Sequence, residues 1–181
     1  MTARKNASST RRAKDAIALL MEDHKKVQKL FKDFEKLGEE DKDRKSEIVS
    51  QACAELTIHS TIEEEVFYPA MREALEEQEL LDEAEVEHST AKELISQLQS
   101  MKPGDDLFDA KFTVLGEYVN HHIKEEQQQI FPKAKKTEVD LKALGEELMA
   151  RKQECQREMG IGGEEAVHEV REEGEEERQE R

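Results

Sequence analysis

Six residues of this chain have the types and the spacing needed to hold metal ions: His24, His59, Glu63, His88, His122 and Glu126. They form two matching sets. His24 is followed by His59-Ser-Thr-Ile-Glu63 and then Phe67-Tyr68-Pro69; His88 is followed by His122-Ile-Lys-Glu-Glu126 and then Ile130-Phe131-Pro132. The step from His24 to His88 is 64 residues, and the steps from His59 to His122, Glu63 to Glu126 and Pro69 to Pro132 are each 63. Polar residues and chain punctuation thus recur together, which points to one site built from two halves.

Chemistry explains why the set belongs together. A neutral imidazole in an apolar helix stripe costs free energy unless its nitrogens are bonded, and a buried carboxylate costs several kcal/mol unless paired. Bound cations remove both penalties. If each ion takes two imidazoles and both glutamates bridge, each ion has four protein ligands. A six-coordinate metal then has room for a shared oxo or hydroxo bridge and one open position. Which imidazoles share an ion is left open. Nitrogen and oxygen donors without thiolate suit iron, manganese or zinc. The order His-x-x-x-Glu also differs from the carboxylate-richer Glu-x-x-His of ferritin-like bundles.

Helices must position these groups. Ile17, Leu20, His24, Val27, Phe31 and Phe34 step by 3-4-3-4-3, the stripe of a helix packed in a bundle. Adding 64 gives Leu81, Ala84, His88, Ala91, Ile95 and Leu98, apolar for apolar and His for His. Ala52, Leu56, His59, Glu63 and Phe67 match Leu115, Val119, His122, Glu126 and Ile130, with each Glu one helical turn beyond its His. Turn residues at 38–43 and 102–106, and a weak junction at 78–80, predict helices over 13–37, 42–77, 80–101 and 106–134. The expected fold is all-α, an up-down-up-down four-helix bundle with short connections. Leu141, Leu144, Leu148 and Cys155 predict a further amphipathic helix that lies across the bundle or meets another subunit.

The domain plan that follows is a flexible basic leader over 1–12, the bundle over 13–135, the extra helix over 136–158 and an acidic tail over 159–181. That tail has nine Glu against three Arg from Ile161 onward, too little apolar area to order itself.

Composition narrows the function classes. Charged residues are 40% and hydrophobic residues 35% of the 181, without Trp, a balance typical of amphipathic helices. A net charge of −16 argues against a nucleic-acid partner, which requires a concentrated basic face. The longest apolar run, Ala16–Met21, is far short of the roughly 20 residues of a membrane span, so no membrane partner is expected. Cys53 and Cys155 lack disulfide or thiolate-metal spacing, which suits a reducing cytoplasm.

With its motif His24, His59-x-x-x-Glu63, His88 and His122-x-x-x-Glu126, the chain resembles the hemerythrin-like HHE cation-binding domain family over residues 13 to 135. The resemblance implies a non-haem di-iron centre. It departs from the oxygen carriers of that family. They place a further His four residues after the position of His88, where this chain has Lys92, and their last carboxylate is an Asp five residues after its His, where this chain has Glu126 at four. With four His rather than five, both irons would have an open position, which argues against simple O2 carriage.

The resulting expectation is a di-iron protein that binds or senses O2 or a related small molecule such as NO or peroxide, and takes part in iron or oxidative-stress handling. The alternatives are a catalase-like enzyme decomposing hydrogen peroxide, and a structural zinc or adaptor bundle. Neighbouring residues receive plainer roles. His121 is expected to point away from the ions, and Glu64, Glu65 and Glu125 to be solvated charges. Phe67, Tyr68, Phe131, Met21 and Met71 are expected to pack, the alternatives being that the three aromatics shield the ions from water and that Tyr68 and Tyr118 reach the site as hydrogen-bond or redox groups, and His168 is expected to lie free in the tail.

Overall fold

The computed structural model describes residues 14–161. The basic leader, the acidic tail from 162 on and His168 therefore lie outside the described residues.

Helix α1 (Ala16–Phe34) is started by Asp15, whose side chain accepts from the Ala18 N–H 2.8 Å away and satisfies one of the helix's orphan donors. After a turn, α2 (Lys42–Ile62) runs into a single π-helical turn, Glu63–Phe67, and resumes as α3 (Tyr68–Ala74). The chain reverses through Leu75–Gln78 into α4 (Glu79–Gln99) and then α5 (Phe108–Glu125). A second π turn, Glu126–Ile130, leads into α6 (Phe131–Ala134). The second predicted helix thus ends at Ala74 rather than 77, and the weak junction lies three residues early. Elsewhere the bundle's helix boundaries fall within three residues of expectation, and the extra helix begins at Leu141, five residues after 136.

Helix α1 packs on α2, α2 on α4, α4 on α5 and α5 on α1, which closes a ring of four. The two apolar stripes point into it. Ile17, Leu20, Val27, Phe31, Phe34 and their partners on α4, Leu81, Ala84, Ile95 and Leu98, are all buried. The core is divided in two. One apolar cluster includes Leu20, Ile62, Phe67, Tyr68, Met71 and Phe131; the other includes Val27, Phe34, Ile48, Phe112 and Leu115. Between them lies a polar layer of His24, His59, Glu63, His88, His122 and Glu126, each 0–7% exposed.

The extra helix is α7 (Leu141–Glu158), and it lies along α1 and α2. Leu144, Leu148 and Cys155 join the first apolar cluster. A Cβ on Gly145 would sit 2.4 Å from the Lys14 carbonyl oxygen, so only glycine lets α7 approach the start of α1 this closely. Among the described residues, no helix is long and apolar enough to cross a membrane.

Candidate metal centre

The four helices bring all six predicted residues to one place. His24 comes from α1, His59 from α2, His88 from α4 and His122 from α5, while Glu63 and Glu126 are the first residues of the two π turns. Helical spacing of four sets His59 Nε2 3.2 Å from Glu63 Oε2 and His122 Nε2 3.5 Å from Glu126 Oε2. Contacts across the bundle complete the set: His24 Nε2 is 3.1 Å from Glu126 Oε2 and His88 Nε2 is 3.3 Å from Glu63 Oε2.

The pairing that sequence left open is visible in the geometry. Ligand atoms of His24, His59, Glu63 and Glu126 lie within 4.8 Å of one another, as do those of Glu63, His88 and His122. His24 meets His59 edge-on at 4.9 Å between ring centres, and His88 meets His122 at 4.6 Å.

These atoms lack the partners that burial demands. His24 Nε2, both nitrogens of His59, both oxygens of Glu63 and Glu126 Oε2 are buried without a hydrogen bond. His88 Nε2 and His122 Nε2 aim at each other, 3.1 Å apart. Orphaned buried polar atoms are rare, and here they converge in two groups of imidazole nitrogen and carboxylate oxygen. The donor set therefore fits a pair of divalent or trivalent cations.

Outer partners fix the rings. Among Nδ1 atoms, that of His88 lies 3.0 Å from Glu64 Oε1, that of His122 2.8 Å from Glu87 Oε2, that of His24 3.1 Å from Gln127 Nε2, and that of His59 3.6 Å from Asp23 Oδ2. Sequence reasoning missed these four, although the repeat contains them. Asp23 plus 64 is Glu87, and Glu64 plus 63 is Gln127. The expectation that Glu64 is merely solvated is thus corrected: it holds His88 and accepts from Lys92 Nζ at 2.6 and 2.7 Å. Glu65 is likewise engaged, by Arg151 of α7 at 2.6 Å. Glu125 is 3.4 Å from His121, which is exposed as expected and points away from the centre.

The π turns were also missed, and the prolines were the available signal. Proline has no N–H to give and its ring presses on the carbonyl four residues back. A π turn ahead of each proline relieves that crowding, with Tyr68 N–H bonding to Glu63 O and Phe131 N–H to Glu126 O, five residues apart. In an α-helix a five-residue step would leave Tyr68 about 140 degrees round from Glu63. The wider turn brings Tyr68 and Phe131 over the polar layer instead. Tyr68 stacks on His88 at 5.5 Å, and its hydroxyl donates to Glu126 Oε1 at 3.1 Å; Phe131 stacks on His24 at 5.7 Å. Tyr68 thus reaches the site as a hydrogen-bond group, the alternative to the packing role, while also packing.

Electrostatics follow from this crowding. Burial alone would disfavour a charged His122, but Glu126 and the bond to Glu87 prevail and push it up to about 11. His59 and His88 are raised too, against burial, chiefly by Glu63. Burial likewise works against an ionised Glu126, yet His122 and His24 hold it well below the usual range. Burial, then the nearby Glu126, raises Tyr68 well above an ordinary phenol, so its proton stays on. The bond to His88, then Lys92, brings Glu64 down to about 2. The proton on His122 thus faces Glu126 where a cation would otherwise do so.

A narrow cavity of about 30 Å³ opens beside the layer, with all four histidines in its wall. Val27, Leu56, Ile95 and Val119 make the rest of it apolar, and Lys92 and Tyr118 are its exposed residues.

The sequence profile described as hemerythrin HHE cation binding domain matches residues 15–134, a span containing all six residues and both π turns. The chain belongs to that family. It is 32% identical over 123 residues to an uncharacterised hemerythrin-like protein of Schizosaccharomyces pombe, covering 67% of this chain and 58% of that one. It is also 32% identical over 112 residues to a DNA nickase of Nostoc, covering 60% of this chain and 30% of that protein. The chain therefore spans less than two thirds of either curated relative. The crystal structure of a hemerythrin HHE cation-binding domain-containing protein of Mycobacterium kansasii superposes with a TM-score of 0.68 at 22% identity, over 80% of this chain and 89% of that one. Helix α7 lies beyond the family match. Within it, Lys92, which stands where the family's oxygen carriers have a fifth His, turns to Glu64.

Proposed function

We propose that this hemerythrin-like domain holds two non-haem iron ions, one between His24 and His59 and the other between His88 and His122, with Glu63 and Glu126 bridging them. Its task on this reading is to bind or sense a small neutral molecule, O2, NO or peroxide, and so to take part in iron or oxidative-stress handling. The observation that carries the reading is the convergence of buried, unbonded His and Glu atoms beside an apolar cavity. When bound, such a pair supplies open coordination positions and one-electron redox chemistry.

The chain's own groups do the rest. Glu64, Glu87 and Asp23 face the Nδ1 atoms of His88, His122 and His59 as acceptors, which leaves each Nε2 for an ion; Gln127 does the same for His24 once its amide is turned to present Oε1 to Nδ1. Phe131 and Tyr68 close the layer on one side, and the cavity has room for a diatomic or a peroxide and little more. Its apolar wall favours a neutral visitor over an ion. We do not extend the activity for which the Nostoc relative is named to this chain, since the match spans 30% of that protein and the net charge of −16 repels a phosphate backbone.

Metal quantitation combined with absorption spectra under air and after reduction tests the reading. The expected result is about two irons per chain and a near-ultraviolet band that disappears on reduction. Zinc without iron would sink it.

A second reading is favoured by Tyr68, whose protonated hydroxyl sits 3.1 Å from Glu126 and 3.5 Å from His88 Nε2. It is disproportionation of two hydrogen peroxide molecules to two waters and one O2, with Tyr68 holding Glu126 in place through the proton it retains. Oxygen evolution by the iron-loaded protein no faster than by free iron would remove it.

A further inference from the structure

The chain continues past residue 134, where the family match ends, and α7 returns to the centre at one point. Lys152 donates to Asp23 Oδ1, both side chains being mostly buried. Asp23 Oδ2 and His59 Nδ1 face each other at 3.6 Å, and neither has a hydrogen-bond partner. An ion on His59 Nε2 leaves the ring proton on Nδ1, and the acceptor that proton meets is Asp23. In the other half the matching acceptor, Glu87, lies 2.8 Å from His122 and pairs also with His121 rather than with α7.

A carboxylate this buried is strongly disfavoured without a cation beside it. Lys152 is that cation, carried on a helix docked by Leu144, Leu148 and Gly145. Next to it, Arg151 grips Glu65 on the π turn that begins with Glu63. The reach of α7 thus falls on the His24/His59 side.

We propose that Lys152 is a positioning residue: by pairing with Asp23 and holding it in place behind His59, it makes occupancy of the His24/His59 position depend on α7, while the His88/His122 position does not. This inference rests on the two-ion reading above.

The test loads the full chain anaerobically with ferrous iron, then measures iron retained against a competing chelator, with a thermal melt of each variant. Wild type should keep about two ions, and Lys152→Met about one, the other leaving roughly 10- to 100-fold faster. Lys152→Arg should restore retention. So should Asp23→Asn combined with Lys152→Met, because an amide oxygen accepts from Nδ1–H and requires no cation, a rescue that a purely structural role for Lys152 would not give. Adding His24→Ala to Lys152→Met should cost nothing further, whereas adding His88→Ala should empty the protein.

If Lys152→Met is too unstable to load, Asp23→Ala with Lys152→Met removes the buried charge as well and must still lose the one ion. Retention of both ions at the wild-type rate by either variant overturns the inference, as does absence of rescue by the Asn variant. A wild type that binds no ions defeats the two-ion reading instead, so the two failures are distinct.

Discussion

The two halves of the centre carry the same ligands at the same offsets and differ in what stands behind them. Each half covers the other. Tyr68 and Glu64 of the first half lie on His88 of the second, and Phe131 and Gln127 of the second lie on His24 of the first. At the two matched pairs the residues differ in kind. Tyr68 has a hydroxyl where Phe131 has none, and Glu64 is a carboxylate where Gln127 is an amide. The third pair, Asp23 and Glu87, keeps its charge but not its surroundings, since Lys152 pairs with Asp23. Lys92 pairs with Glu64 in the same way, so the extra negative charge behind the His88/His122 position is that of Glu87, which faces His121 and His122 and strengthens imidazole donation. On the two-ion proposal, coordination constrains the six residues to be alike in the two halves, while the neighbours are free to make the two ions unequal.

The largest break in the comparison comes from the shared residues. Glu126→Ala or Glu63→Ala should abolish retention of both ions, because each glutamate belongs to both groups or faces both pairs. In the metal-free protein Glu126→Ala should cost about 3–5 kcal/mol, since His24 and His122 lose a buried counter-charge. Iron content and thermal melts check this, and unchanged values in both variants would contradict the site.

Acidity gives the next effect. His59, His88 and His122 are all raised above the ordinary imidazole range, His122 to about 11, so the metal-free protein holds a proton on His122 at neutral pH. Loading must displace that proton, and affinity should therefore rise with pH. The sign for metal-free stability is opposite: the contribution of these groups is full below 6.5 and is lost as pH rises through the raised values. The gap in melting temperature between loaded and metal-free protein should widen from pH 7 to pH 10. Proton release on loading, followed by calorimetry in buffers of different ionisation heat, checks it; uptake without release would contradict it.

Exchange of the aromatic pair should act more gently. Tyr68→Phe removes a bond to a buried carboxylate and should cost about 1.5–3 kcal/mol in the metal-free protein. It should also make the His88/His122 side resemble its twin in ligand binding, measured by the spectrum of the loaded protein with NO.

The smallest effect is expected at the amide and carboxylate. Glu64→Gln should weaken the His88/His122 ion by about tenfold and bring the two retention rates together. Rates that stay as far apart as in wild type would show that Glu64 is not what separates them.

How far the sequence reaches can be seen residue by residue. Helix stripes and the six clustered His and Glu residues were legible because 3.6-residue periodicity and the 63- to 64-residue repeat act on side-chain types that burial penalises. The Glu at four residues from each His was legible for the same reason. Pairing of His24 with His59 was not, since it depends on which helices adjoin across the ring. Glu64 read as a surface charge, and Glu87 drew no reading, because one residue's phase on a helix separates solvent from the layer. The π turns escaped because five-residue spacing is rarely sampled, although Pro69 and Pro132 marked both. The role of α7 also escaped: Lys152 meets Asp23 across 129 residues, which no local pattern encodes.

The most direct measurement is an anomalous difference map at the iron edge from crystals of iron-loaded protein. Two peaks are predicted, one between His24 and His59 and one between His88 and His122, both contacting Glu63 and Glu126. A single peak, none, or iron only at the exposed group of Glu87, His121 and Glu125 would contradict the account.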